Sequence, residues 1–345
     1  MASRSAVTRE RVLALPKAEL HVHLDGSLRP GTLVELADSE GVTLPTSDPE
    51  SLAQLLHADD ARDLEDYLKG FATTLSVMQS APALERIAYE LAEDHARENV
   101  RVVEVRFSPV LNTRGGLTLD ETIDATLAGL RRAEADFPIR ASVIVCALRH
   151  LEPSVSDELA ELAVRWKDRG VVAFDLASGE AGNPARDHWT AFRLAAKGSL
   201  GRTVHAGEAW GPESILQALV HGRAQRLGHG TRLHEDPELE AYVRDHRVPL
   251  EICLTSNVQT RVAPSYVEHP ARRYFDLGIP MTFCTDNRLM SGTTVTDEYL
   301  LAAEHLGFTW DELVEIARMG FESAFLPWPD KRELLEDFDR IAAEL

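Results

Sequence analysis

Eight short, β-rich apolar runs recur along this chain, each separated from the next by a stretch that can hold a helix. They are AELHVHL (18–24), VVEVRF (102–107), ASVIVCAL (141–148), VVAFDL (171–176), RTVHA (202–206), RLGHG (226–230), PLEICL (249–254) and IPMTFCT (279–285). Most are continuous apolar runs rather than strict alternations, the pattern of parallel strands covered by helices. The segments between them, such as SILQALVHGR and SDELAELAVRWKD, carry helical periodicity. Eight strands alternating with helices predict an α/β fold, a (β/α)8 TIM barrel in one domain over residues 1–345.

A long insert, residues 30–100, follows the first run and carries several helical patterns. LRPGTLVELADSEG has Pro near its start and Gly at its end, which frames a helix. An insert after a barrel strand lies on the catalytic face, so this one is expected to roof a pocket. Residues 297–345 read as extra C-terminal helices covering the outside of the barrel.

The hydrophobic share of 44% is ample for a large core. Thirty-six Lys+Arg against 56 Asp+Glu give a net charge of −20. That excess repels phosphate backbones and anionic lipid, so neither a nucleic-acid polymer nor a membrane is an expected partner. Cys146, Cys253 and Cys284 lie singly in apolar runs, with no CxxC, so buried free thiols in a reducing compartment are expected. No window approaches the apolar length of a membrane span, and MASRSAVTRERVLALPKAEL lacks a leader's apolar stretch. A cytoplasmic protein is expected; the oligomeric state is not legible.

The chemistry sits where the apolar runs end. His21 and His23 close one strand, His205 another, His229 a third and Asp286 a fourth. A parallel barrel gathers its strand ends at one face, where these residues can converge. In HVH the alternation of a strand points His21 and His23 to one side and Val22 to the other. Histidine nitrogens and a carboxylate are ligands of Zn²⁺, which keeps an open position in catalytic sites. In HAGE, the small Ala206 and Gly207 let the backbone turn and bring Glu208 near His205. A desolvated glutamate there can donate a proton to a substrate nitrogen; a helix-start glutamate meeting the macrodipole is the plainer alternative. His229, between two glycines, can hydrogen-bond the reacting water. Asp286 leaves a very apolar strand, where an unpaired carboxylate is costly and metal ligation explains it better than a loop cap.

HVHLDGSLRP, VVAFDLASGE, TVHAGE, RLGHGTRL, EICLTSN and CTDN occur in the order found in the adenosine deaminase family of the amidohydrolase superfamily, which the chain resembles over about residues 15–320. The resemblance implies one Zn²⁺ held by His21, His23, His205 and Asp286. It implies that Glu208 protonates the purine N1, while His229 and Asp286 handle the attacking water. His23, Asp25, Ser178, Gly179 and Asn287 fall at substrate-binding positions, Asp25 at the one contacting the ribose 5′-hydroxyl. The implied reaction is hydrolytic deamination of adenosine or 2′-deoxyadenosine to inosine or 2′-deoxyinosine and ammonia.

Two departures stand out. The family commonly has AGDE where this chain has Ala177-Ser178-Gly179-Glu180, which puts Ser178 at a glycine whose N–H approaches purine N3. The family's TDDP is here TDNR, so Asn287 stands where a second aspartate meets N7. Asparagine brings an N–H donor to an atom that only accepts, so adenine binding is retained. The rival substrates are a 5′-modified adenosine such as 6-aminodeoxyfutalosine, and free adenine. A non-catalytic zinc or nucleoside binder is a rival of another class, against which Glu208 argues, since ligation does not need it. Hydrolysis of a phosphate ester or lactone usually needs a second metal and a bridging lysine, and no strand ends in Lys.

Overall fold

The computed structural model describes residues 6–345. Every apolar run is a strand: β1 (Lys17–His23), β2 (Val100–Phe107), β3 (Arg140–Leu148), β4 (Val171–Ala177), β5 (Gly201–Ala206), β6 (Arg226–His229), β7 (Leu250–Ile252) and β8 (Met281–Phe283). Each pairs in parallel with the next in sequence order. β1 meets the chain just past β8 in a parallel bridge between Val22 and Asp286. There the His23 N–H donates to the Asp286 carbonyl at 2.7 Å and the Asp286 N–H to the His21 carbonyl at 2.8 Å. The (β/α)8 barrel read from the sequence is therefore drawn together at the segments that carry three of its chemical residues.

Barrel interiors are usually filled by layers of branched apolar side chains. This one contains buried charge instead: Glu19, Glu104, Arg106, Asp175, Arg226 and Glu251 are all buried. Arg106 pairs with Asp175 and Glu251 at 2.9 Å each, and Arg226 with Glu104 and Glu251 at 2.6 Å each. Burial of these charges is tolerable because each is paired and hydrogen-bonded; removal of one partner would leave an uncompensated charge.

The helices begin and end where local chemistry directs. Pro30–Glu40 starts with Pro and ends at Gly41, which takes φ 70° as expected from the sequence frame. Leu119–Asp136 and Trp310–Ser323 both open with capping boxes, Thr118 with Glu121 and Thr309 with Glu312. The segment 30–100 divides in two. Its last helix, Ala81–Arg97, packs on Leu119–Asp136 and β2 as a member of the outer ring. The shorter helices before it are the true addition, and they bring Leu64, Tyr67, Leu68, Phe71 and Leu75 over the mouth of the barrel. After β8, Val295–Leu306, Trp310–Ser323 and Trp328–Ala342 form the expected C-terminal helices. Among the described residues no helix is long and apolar enough to cross a membrane. All three cysteines are buried and unpaired.

Candidate active site

His21, His23, His205, His229 and Asp286 converge at the C-terminal face of the barrel, as the strand ends require. His229 and Asp286 adopt left-handed backbone, with φ 62° and 59°. Such conformations cost on the order of 1–3 kcal/mol for a non-glycine residue, and they persist where the surroundings dictate them. Here the turn aims each side chain back over the barrel mouth. Gly228 is a matter of space: a Cβ there would come within 3.0 Å of His21 Cε1 and 3.1 Å of the His205 backbone.

The polar atoms of His21, His205, His229 and Asp286 lie within 4.8 Å of one another. His23 adds a fifth donor, its Nε2 3.1 Å from His205 Nε2 and 3.4 Å from Asp286 Oδ1. His21 Nε2 is also 3.4 Å from Asp286 Oδ1. Tetrahedral bonds of about 2.0–2.1 Å separate neighbouring ligand atoms by ~3.3 Å, so these spacings match the edges of such a shell. The Nε2 atoms of His21 and His229 are buried without a hydrogen-bond partner. Behind the rings, His21 Nδ1 is 2.9 Å from Glu251 Oε2 and His205 Nδ1 is 3.0 Å from Asp175 Oδ2. Ser256 Oγ donates to Asp286 Oδ2 at 2.7 Å. Carboxylates behind histidines fix ring orientation and raise ligand basicity, the usual support of a metal site.

The protonation directions agree. Burial pushes the His23 and His229 pKa values well below the ordinary range, and lowers that of His205. Neutral His23 and His205 rings can offer the lone pairs a cation needs. For His21, burial and Arg106 oppose the charge, but hydrogen bonds to Asp286 and Glu251 carry its pKa upward. Burial also opposes ionisation of Asp286, yet His21, His229 and His23 hold it well below the usual carboxylate range. The pocket thus favours positive charge between His21 and Asp286.

Glu208 lies beside this group, with Oε2 3.7 Å from His229 Nε2. Burial first, then the negative charges of Asp286 and Glu180, push its pKa well above the ordinary carboxyl range. A carboxylic acid that keeps its proton near neutrality is a proton donor. The cavity above has a volume of about 240 Å³ and is lined by His23, Asp25, Ser178, His205, Glu208, His229, Asp286 and Asn287 among others. Burial raises Asp25 to about 7, and its Oδ1 has no hydrogen-bond partner.

Ser178 takes φ 80°, a glycine-like backbone occupied by serine, and its Oγ is 2.8 Å from His150 Nδ1. Gly179 does not line the cavity; its carbonyl accepts from Asn183 Nδ2 at 2.9 Å. Asn287 lies over Gly26, where a Cβ would meet its Oδ1 at 1.8 Å, so the glycine of HVHLDG makes room for it.

Sequence reading missed the residues that hold the site: Asp175, Glu251, Arg106, Ser256, Asn257 and Glu180. For the first three the signal was present as a charge inside an otherwise apolar run, with Glu104 beside Arg106 in the same run, which burial makes costly without a partner. The others lie in loops and a short helix, where nothing local distinguishes them.

A family model described as adenosine deaminase matches residues 16–341. A probable adenosine deaminase from Dictyostelium discoideum is 41% identical over 326 residues; 94% of this chain is covered, but the chain spans only 42% of that relative's length. An adenosine deaminase from Mycobacterium sp. (strain JLS) is 42% identical over 349 residues, with 96% of each chain covered. Among solved structures, an adenine deaminase from Arthrobacter aurescens superposes with TM-score 0.88 at 26% identity, covering 94% of this chain and 98% of its own. An amidohydrolase from Burkholderia ambifaria with bound Zn superposes with TM-score 0.85 at 25% identity, covering 99% of this chain and 97% of its own.

Proposed function

This chain belongs to the adenosine deaminase family and is a hydrolytic aminohydrolase, and we propose that it deaminates adenosine and 2′-deoxyadenosine as a single-domain, cytoplasmic, zinc-dependent enzyme. The observation that carries the reading is Glu208, a buried carboxyl biased toward its protonated form beside the histidine and aspartate cluster. Three unpaired buried thiols favour the reducing compartment.

His21, His23, His205 and Asp286 would hold the zinc, on the strength of the 3.1–3.4 Å spacings among their polar atoms. Three nitrogens and one oxygen suit Zn²⁺. His229 is left outside this set because its Nε2 faces Glu208 and its Nδ1 is backed by the amide of Asn257 rather than a carboxylate. When bound, the metal lowers the pKa of water toward about 7 and so supplies a nucleophile at neutral pH.

The protein residues do the rest. His229 and Asp286 orient the attacking water toward C6 of the purine. Glu208 gives its proton to N1, which lets the ring accept the electron pair. One proton of the attacking water passes through Asp286 to the amino group, which leaves the tetrahedral carbon as ammonia, and the other returns to Glu208 as the C6 carbonyl forms, leaving inosine. Asn287 donates to N7, and Ser178, which lines the cavity, presents its backbone N–H to the base edge around N3. Asp25 accepts from the ribose 5′-hydroxyl.

Among the described residues no Lys or Arg lines the cavity, while Asp25, Glu208 and Asp286 do. A 5′-phosphate or other acidic 5′ group would meet Asp25 without a counterion, which favours a neutral nucleoside. The test is an ultraviolet absorbance screen of the zinc-loaded protein against adenosine, 2′-deoxyadenosine, adenine, methylthioadenosine and 6-aminodeoxyfutalosine. Adenosine and 2′-deoxyadenosine should have the highest kcat/KM. A higher value for adenine or 6-aminodeoxyfutalosine would overturn the substrate assignment, and no turnover of any would point to a non-catalytic binder.

A further inference from the structure

A chain of buried hydrogen bonds runs from a backbone amide to the ring of His229. The Ala271 N–H donates to His269 Nδ1 at 3.1 Å. His269 Nε2 lies 3.0 Å from Asn257 Oδ1, and Asn257 Nδ2 lies 3.0 Å from His229 Nδ1. Thr231 Oγ1 donates to the same Asn257 Oδ1 at 2.8 Å. His229, Thr231, Asn257, His269 and Ala271 are all buried, so water does not compete for these groups.

Each link determines the next. A backbone N–H only donates, so His269 Nδ1 must carry a lone pair and its proton must sit on Nε2. His269 then donates to Asn257, whose facing atom must be the carbonyl oxygen. The Asn257 amide nitrogen is left to donate to His229 Nδ1, which must be a lone pair in turn. The alternative, with the amide turned over, would set the Asn257 N–H₂ against the His269 N–H and leave two buried donors opposed, at a cost of ~1–3 kcal/mol. Burial first, then His234, brings the His269 pKa down to about 3, so the ring stays neutral and the relay keeps its direction.

We propose that Asn257 and His269 are positioning residues that lock His229 in the Nε2–H tautomer, with that N–H aimed into the cavity beside Glu208. A ring nitrogen that carries a proton has no lone pair to give a metal. The lock therefore keeps His229 out of the ligand set although its Nε2 lies among the ligand atoms. It also makes His229 a hydrogen-bond donor to the oxygen that attacks the substrate. The kinetic consequence rests on the deaminase reading above; the tautomer itself does not.

The experiment is long-range ¹H–¹⁵N correlation on protein labelled with ¹⁵N-histidine, with and without zinc, the His229 signals identified by their loss in His229→Asn. The wild type should show a protonated Nε2 and an unprotonated Nδ1 in both states. In Asn257→Asp the carboxylate demands a donor from Nδ1, so the proton should move to Nδ1. That variant should lose ~10²-fold in kcat on adenosine, with KM within ~3-fold and zinc content unchanged. His269→Phe should weaken the bias, and His269→Gln, which restores an N–H donor to Asn257 Oδ1, should recover most of the loss. An Nδ1–H tautomer in the wild type overturns the proposal, as does Asn257→Asp with the original tautomer and rate. If Asn257→Asp does not fold, the wild-type spectrum and the His269 pair decide the matter. Absence of deaminase activity with an Nε2–H signal intact would count against the substrate reading and leave the lock standing.

Discussion

Glu180 holds the backbone that carries Glu208. Its two carboxylate oxygens accept the N–H groups of Gly207, Glu208, Ala209 and Trp210 at 2.7, 3.0, 2.5 and 2.8 Å. The donors are successive amides of the turn after β5, and Gly207 takes φ 72° within it. A buried carboxylate is satisfied by such a nest, and the nest in turn has one fixed shape. Glu208 is therefore aimed by a residue that stands outside the reaction.

The first prediction separates aiming from chemistry. Glutamine at position 180 offers one acceptor oxygen and sets an N–H₂ group against amide donors. Glu180→Gln should cut kcat by ~10-fold or more, since a 1 Å misplacement can cost ~10²-fold. Zinc content should stay unchanged because His205 precedes the turn. Glu208→Gln should lose ~10²-fold or more with zinc and fold intact. In the double variant the two losses should not add, and full additivity in kcat would show that Glu180 does not act through Glu208.

The second prediction concerns the ligand set. Metal analysis after dialysis should find near-stoichiometric zinc in the wild type and in His229→Ala, with strong loss in His23→Ala and His205→Ala. His229→Ala should still lose rate. The arrangement leaves two four-group sets within reach, one with His23 and one with His229. Zinc retained by His23→Ala but lost from His229→Ala would exchange their roles.

How far the sequence reached follows from what each residue does locally. The eight strands were legible because burial on both faces forces continuous apolar runs, and the site residues because they terminate those runs. Ser178 was legible as a departure, and its φ of 80° shows the glycine-like backbone it has to adopt. The supports were not legible. Asp175 and Glu251 act from other strands on the histidines they orient, and Asn257, in the short helix after β7, is itself set by His269, twelve residues on in a loop. The boundary of the insert was also beyond local pattern. Ala81–Arg97 looks like its neighbours in sequence and differs only in what it packs against.

A third prediction ties stability to pH through Glu298. This buried carboxyl accepts from the Thr255 N–H and hydroxyl and from Thr293 Oγ1. Burial outweighs those bonds and raises its pKa to about 7 from the ordinary 4.5. A folded-state pKa above the unfolded one favours the protonated form in the fold. Its stabilising contribution is then fully present below about pH 4.5 and lost as pH rises through about 7. Glu298→Gln keeps an acceptor and cannot ionise. The Tm of the wild type should fall relative to that variant between about pH 5 and 8, other groups cancelling in the difference. A pH-independent difference in Tm would falsify the raised pKa.

The last prediction concerns how the base is held. Asn287 Oδ1 lies against Gly26 and has no hydrogen-bond partner, and Tyr67 hydrogen-bonds the same side chain. The amide nitrogen is therefore the end that meets Tyr67, and the second of its two N–H groups is left to serve a ligand in the cavity. Purine N7 only accepts, so an amide N–H₂ suits it at any pH, whereas a carboxylate can bond N7 only when a proton lies between them. Asn287→Ala should raise KM for adenosine by roughly 10-fold, the order expected for one lost hydrogen bond in a buried site. For the wild type, 7-deazaadenosine, which lacks the acceptor, should be the poorer substrate by a similar factor. In Asn287→Ala the two substrates should converge, because the bond is missing from both. If the variant still prefers adenosine over 7-deazaadenosine by the wild-type factor, another group meets N7 and the base sits differently in the cavity.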